Sequence, residues 1–148
     1  MLYEKNLVLF KKLDPEAITP TRGHSHDAGF DLYCLETVDL LEGFSRKLRT
    51  GIAIEVPTNF FGLVMARSST YGNNGVMLTN GAGVIDCGYT GEILIPVIAL
   101  GGPAEIKKGD RLTQIIFVPI LPNVVLAETS TLTSLSDRGE GGFGSTNK

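Results

Sequence analysis

The sequence predicts an all-β fold, a β-barrel or double-sheet jelly roll that carries a flexible C-terminal arm. Three observations predict it. The 148 residues include 18 glycines and 7 prolines, a density of chain-reversing residues that suits many short strands joined by tight turns. Between them lie short runs rich in β-branched and aromatic side chains, which fit a pleated, half-buried surface. Apolar residues at the spacing of an amphipathic helix are scarce.

Taken in order, the expected strands cover residues 7–13, 30–35, 37–41, 46–56, 60–66, 76–79, 83–85, 92–100, 111–120 and 124–128. Asn73-Asn74-Gly75, Asn80-Gly81, Gly101-Gly102-Pro103 and Lys108-Gly109-Asp110 separate several of them. There glycine or asparagine supplies a positive φ. Residues 68–71 allow one short helix. From Thr129 onward the chain turns to Ser, Thr and Gly, with almost no aliphatic residue after Leu135. The expected division is a core over residues 1–136 and a mobile arm over 137–148.

Composition narrows the function. With 43% apolar residues, a chain of this length buries about two-thirds of its unfolded surface in one domain. A net charge of −3 leaves no basic footprint for a nucleic-acid backbone. A single nucleotide is a different case, because a few cations and aimed N–H groups hold its phosphates. Cys34 and Cys87 match no disulfide framework or metal spacing, which points to a reducing compartment. No apolar run approaches the roughly 20 residues that span a bilayer, and the start of the chain does not read as a signal peptide. The expectation is a soluble, intracellular protein, with no membrane partner.

Several segments carry chemistry. Arg67-Ser68-Ser69 follows an apolar strand and begins the short helix; it reads as an N-cap beside a surface arginine, or as a phosphate site of N–H donors and a forked cation. The hairpin at Asn80-Gly81-Ala82-Gly83-Val84-Ile85-Asp86 leaves Asp86 at a strand end, as a turn cap or as a general base. Asp31 lies among apolar strand residues, where an ionised carboxylate needs a partner, a salt bridge or magnesium. Gly139-Glu140-Gly141-Gly142-Phe143-Gly144 fits the Gly-x-Gly-x-x-Gly pattern but neither follows a strand nor opens a helix. It reads as a plain flexible tail or, with Arg138, Ser145 and Thr146, as a polyanion-binding lid. His24 and His26 read as surface histidines.

In series, these segments resemble the five motifs of the trimeric dUTPase family. The resemblance runs from Asp27 to Thr146: Ala28-Gly29-Phe30-Asp31-Leu32; Ala66-Arg67-Ser68-Ser69; Gly83-Val84-Ile85-Asp86 with Tyr89 and Gly91; Gly109-Asp110-Arg111-Leu112-Thr113-Gln114; and Arg138 to Thr146. The family more often has proline at the position of Ala66. The resemblance implies a distorted jelly roll of the β-clip kind and magnesium-dependent hydrolysis of dUTP to dUMP and pyrophosphate. Asp86 is then the catalytic residue activating water at the α-phosphorus, and Asp31 holds Mg2+ through its water shell. Arg67, Ser68, Ser69, Gln114, Arg138, Ser145 and Thr146 would meet the phosphates. Asn80, Gly83 and Val84 would read uracil, Tyr89 would exclude ribose, and Phe143 and Gly144 would close over the base. The resemblance also implies a homotrimer whose active sites are shared between subunits.

Two rivals differ in class. A dCTP deaminase on the same fold places a glutamate ten residues beyond the aspartate, and here that position is Pro96. A regulatory binding protein on the fold need not keep Asp31, Asp86, Gln114 and Phe143 together.

Overall fold

The chain is described by a computed structural model over residues 7–133, and regular structure within it is almost entirely β. β1 (Leu9–Lys12) pairs antiparallel with β5 (Ile52–Glu55). β3 (Val38–Leu40) pairs with β10 (Ala104–Ile106). A four-stranded sheet runs in the order β2 (Gly29–Tyr33), β11 (Arg111–Pro119), β6 (Phe60–Ala66), β8 (Ala82–Ile85). A three-stranded sheet runs β4 (Ser45–Arg49), β9 (Leu94–Ala99), β7 (Val76–Leu78). The one helix, α1 (Thr70–Asn74), joins β6 to β7.

Strand alternation builds two adjoining cores. Ile95, Val97 and Ala99 of β9 point inward with Leu48, Val76, Leu40, Ile106 and Leu112. Ile115 of β11 and Val64 of β6 meet Leu32, Ile52, Ile54 and Ile93 in the second. Cys34 is buried in the first core. Burial pushes its thiol up to about 12, with the carboxylates of Asp110 and Glu36 adding to the effect. Folding stability from this thiol is therefore complete below its ordinary value near 9 and lost as pH climbs through that range. The melting temperature should fall more steeply between pH 9 and 11 in the wild type than in Cys34→Ala. Below pH 9 the two slopes should coincide.

Five sequence expectations change. The hairpin expected at Asn80-Gly81 is a turn between two sheets, because β7 pairs with β9 and β8 with β6. The single strand over 46–56 is two strands, because Gly51 sits at φ 68°, where only glycine is unstrained. A Cβ on Gly51 would also stand 2.8 Å from the Cβ of Ala17. The helix starts at Thr70 rather than Ser68, and its N-cap is Ser69, which makes no side-chain capping bond. Thr70 instead donates its hydroxyl to Leu112 O at 2.6 Å and accepts the Arg67 N–H at 3.1 Å. β10 lies where only a turn was expected, because Ala104 and Ile106 gain ladder partners in β3 that are more than sixty residues away. Residues 124–128 form no strand. Val124, Val125 and Leu126 are exposed, and a lone strand without a ladder partner is not stable in water.

Pro96 sits in mid-strand in β9, where the donor it lacks falls at the end of the β7 ladder. Its carbonyl accepts from Thr79 N–H at 3.0 Å, so its nitrogen faces the same side, just past the last paired residue of β7, Leu78. No helix among the described residues is long and apolar enough to cross a membrane.

Candidate active site

Among the described residues β8 is the edge of its sheet, paired only with β6. Its other edge therefore offers free backbone N–H and C=O groups. That edge faces β9 across a cleft of about 380 Å³. Asn80, Gly83, Val84, Asp86 and Tyr89 all line it, opposite Ile93, Ile95 and Pro96, with Lys47 and Glu92 at its polar end. Five residues singled out in the sequence are thus brought to one place.

Local chemistry explains the placement. Gly81 at φ 65° turns the chain from β7 into β8, and Asn80 folds back so that its Nδ2 lies beside the Cα of Gly83; a Cβ there would be 3.4 Å away. After β8 the Tyr89 N–H donates to Asp86 O at 3.2 Å, and Gly88 takes φ 87°, the positive φ a type II turn needs at its third residue. Asp86 and Tyr89 therefore stand at the two ends of one turn. Both are exposed to the cleft rather than packed in the core.

A second group gathers on the outer side of the four-stranded sheet. Asp31, Gln114, Met65 and Ala82 lie in one row across β2, β11, β6 and β8. Asp31 is buried, and its Oδ1 accepts from Arg67 Nε at 2.9 Å while Oδ2 accepts from Arg111 Nη1 at 3.2 Å. Arg67 Nη1 also donates to Arg111 O at 3.3 Å. The side chain of Gln114 lies over Gly29, where a Cβ would come within 3.0 Å of the Gln114 Cβ. Gly29 is thus needed to let Gln114 lie down beside Asp31.

Arg67, Asp31 and Gln114 are therefore one cluster, but none of them lines the cleft that holds Asp86. Ser68 is exposed beside Arg67. A helix as short as α1, of five residues, has too little dipole to hold an anion alone. Arg138, Phe143, Gly144, Ser145 and Thr146 lie outside the described residues. Arg111 and Glu92 carry structural roles that the sequence reading missed. The fourth segment contains Arg111, yet only the fold shows that its guanidinium meets Asp31.

Among the described residues no group of three or more His, Cys, Asp or Glu side chains converges as a metal site. His24 and His26 are exposed. The backbone N–H of His24, 2.8 Å from Asp27 Oδ2, holds the Asp27 carboxyl below its ordinary range. That is a loop-closing contact.

The fold and cleft define the class first: a β-clip jelly roll with its cleft at a sheet edge, unlike the α/β nucleotide binders whose phosphates sit on helix N-termini. Comparison with known proteins then gives the family. A family model described as dUTPase matches residues 15–147, and the chain belongs to the dUTPase family. It is 43% identical over 141 residues to the deoxyuridine 5'-triphosphate nucleotidohydrolase of Clostridium kluyveri, covering 94% of this chain and 96% of that one. Among solved structures, a mutant dUTPase of Staphylococcus bacteriophage 80alpha with dUpNHpp superposes with a TM-score of 0.85 at 28% identity, covering 96% of this chain and 99% of that one. A mutant dUTPase from phage phi11 of S. aureus, described as revealing the coordination of a structural Mg(II) ion, gives a TM-score of 0.77 at 25% identity over 85% of this chain and 98% of that one.

Proposed function

We propose that this chain hydrolyses dUTP to dUMP and pyrophosphate, with Asp86 activating the water that attacks the α-phosphorus. The observation that carries the reading is the turn that sets Asp86 and Tyr89 side by side on the cleft along the free edge of β8. A pyrimidine lying along that edge meets backbone donors and acceptors, and Asn80 adds an amide. A donor facing uracil O4 would confront a second donor in cytosine, and a mismatched buried polar pair discriminates by orders of magnitude. Tyr89 packs under the sugar and leaves no space for a 2′-hydroxyl, while the backbone of β8 at Gly83 and Val84 excludes the thymine methyl. The product dUMP feeds thymidylate synthesis, and removing dUTP limits uracil in DNA.

Arg67, Ser68, Ser69 and Gln114 bind the phosphates, joined by Arg138, Ser145 and Thr146, with Phe143 and Gly144 over the base. The donor set fits Mg2+ in one way only. Asp31 already accepts from two arginines, so it suits an outer-shell contact through water, with the triphosphate supplying the inner oxygens. When bound, the ion neutralises charge on the phosphates. Asp31 and the arginines then orient the chain of phosphates toward Asp86.

The family resemblance implies an active site completed between subunits of a homotrimer, and it is consistent with this that, among the described residues, the Asp31 cluster does not line the cleft that holds Asp86. Two apolar surfaces support that assembly. Phe61, Leu63, Met65, Val84, Ile116 and Val118 share the outer face of the four-stranded sheet, and Met65 and Val84 are 40% and 59% exposed. Val124 to Leu126 add a second exposed run. The arm over residues 137–148 closes the site as a lid.

Deamination lacks its carboxylate, since Pro96 occupies the required position and Glu92, the one acid besides Asp86 that lines the cleft among the described residues, is bound to Arg49 and Gly51. Pyrophosphate release from dUTP, dTTP, dCTP and UTP, with and without Mg2+, tests the reading. Rapid release from dUTP alone, dependent on Mg2+, is expected. Absence of dUTP turnover, or conversion of dCTP to dUTP, would overturn it. Truncation after Asp137 should leave a folded trimer with kcat/KM lowered by about a hundredfold, measured in the same assay.

A further inference from the structure

Tyr89 is held by a series of contacts that runs along the cleft wall to the turn between β4 and β5. Its hydroxyl donates to Glu92 O at 3.0 Å. Its ring lies against Gly91, where a Cβ would stand 2.7 Å from the ring carbon Cζ. Glu92 itself is fixed to the turn between β4 and β5. Its carboxylate accepts from Arg49 Nε at 3.2 Å on both oxygens and from Gly51 N–H at 2.7 Å on Oε1. The next residue is stitched to the same turn: Thr50 Oγ1 donates to Ile93 O at 2.7 Å, and Ile93 N–H donates to Ile52 O at 2.8 Å.

We propose that Glu92 is a positioning residue, whose carboxylate clamps the loop from Asp86 to Glu92 onto the β4–β5 turn and thereby sets both the placement of Asp86 and the rejection of ribose. The inference rests on the dUTP reading of the cleft. Its logic is mechanical. The loop has no strand pairing of its own between Ile85 and Leu94. Its anchors are therefore the Asp86–Tyr89 turn at one end and Glu92 with Ile93 at the other. A shift at Glu92 passes directly to Tyr89 through the Tyr89 hydroxyl bond and from Tyr89 to Asp86 through the turn. The carboxylate is only 19% exposed and meets a guanidinium and an N–H, so its oxygens are turned to the scaffold rather than to a reacting atom.

The test compares Glu92→Ala, Glu92→Gln and Arg49→Met with the wild type, reading kcat for dUTP and the ratio of kcat/KM for dUTP over UTP. That ratio does not depend on the concentration of active enzyme, so loss of folded protein alone leaves it unmoved. Glu92→Ala should lower kcat by about tenfold or more and the dUTP/UTP ratio by about tenfold, the scale expected when a reacting group is displaced by a fraction of an ångström. Glu92→Gln keeps an acceptor for Gly51 and Arg49 and should stay within about threefold of wild type in both. Arg49→Met should lower the ratio by about threefold, because the Gly51 bond survives. Should Glu92→Ala fail to fold, Arg49→Met and Glu92→Gln carry the comparison. A wild-type ratio in every folded variant overturns the clamp while leaving dUTP hydrolysis standing. A wild-type protein without dUTP turnover overturns both.

Discussion

Asp86→Asn is expected to bind dUTP within a few-fold of wild-type affinity and to hydrolyse it at least about a thousandfold more slowly, the range general-base catalysis supplies. The substitution is nearly isosteric and keeps one acceptor oxygen. The backbone carbonyl of Asp86, not its side chain, closes the turn to Tyr89, so the turn survives. What disappears is the basic oxygen that takes a proton from water. Binding and turnover therefore separate, which a folding defect would not produce. Titration calorimetry with dUTP for affinity and pyrophosphate release for rate make the comparison. A variant hydrolysing dUTP at the wild-type rate would remove Asp86 from the chemistry and leave the cleft as a binding site only.

Much of this fold was legible in the sequence because local signals and tertiary pairing agree. The strand 60–66 has the bounds expected of it, since Phe60 to Ala66 is an apolar run flanked by polar turns and no competing pattern intrudes. Asn80-Gly81 announced its turn through local chemistry alone, with Gly81 at φ 65°, but not that the strands on either side would join different sheets. Elsewhere the deciding contact is far away in sequence. Gly51 looks like a weak strand residue until Ala17 packs against it, and Ala104 to Ile106 is too short to read as a strand without β3 beside it. Residues 124–128 show the opposite case, an apolar run with the right composition and no partner among the described residues.

The site divides in the same way. Asp86, Asn80 and Tyr89 fall within ten residues, so the short strand β8 and the turns at its two ends unite them in a manner the sequence itself exposes. Arg67 and Arg111 reach Asp31 from different strands, and Glu92 reaches Gly51 from forty-one residues away. Such pairs leave no periodicity behind.

Asp31→Asn is the substitution that separates two duties a single carboxylate could carry. Arg67 takes Oδ1 and Arg111 takes Oδ2, so an amide can serve one guanidinium and must present an N–H2 donor to the other. The neutral side chain also leaves two cations side by side, partly screened because the arginine side chains are 28% and 46% exposed. Removing one partner of a buried pair costs about 3–5 kcal/mol, and that solvent access brings the expected loss to about 1–3 kcal/mol. For a chain of this size the melting temperature should fall by roughly 3–10 °C. If the carboxylate holds Arg67 in place for the phosphates, KM for dUTP should rise about tenfold even at saturating Mg2+. If its work is confined to the water shell of the ion, the loss will show only as a higher Mg2+ requirement, with melting temperature and dUTP KM unchanged. The geometry commits to the first pattern, because both oxygens already carry an arginine before any ligand arrives.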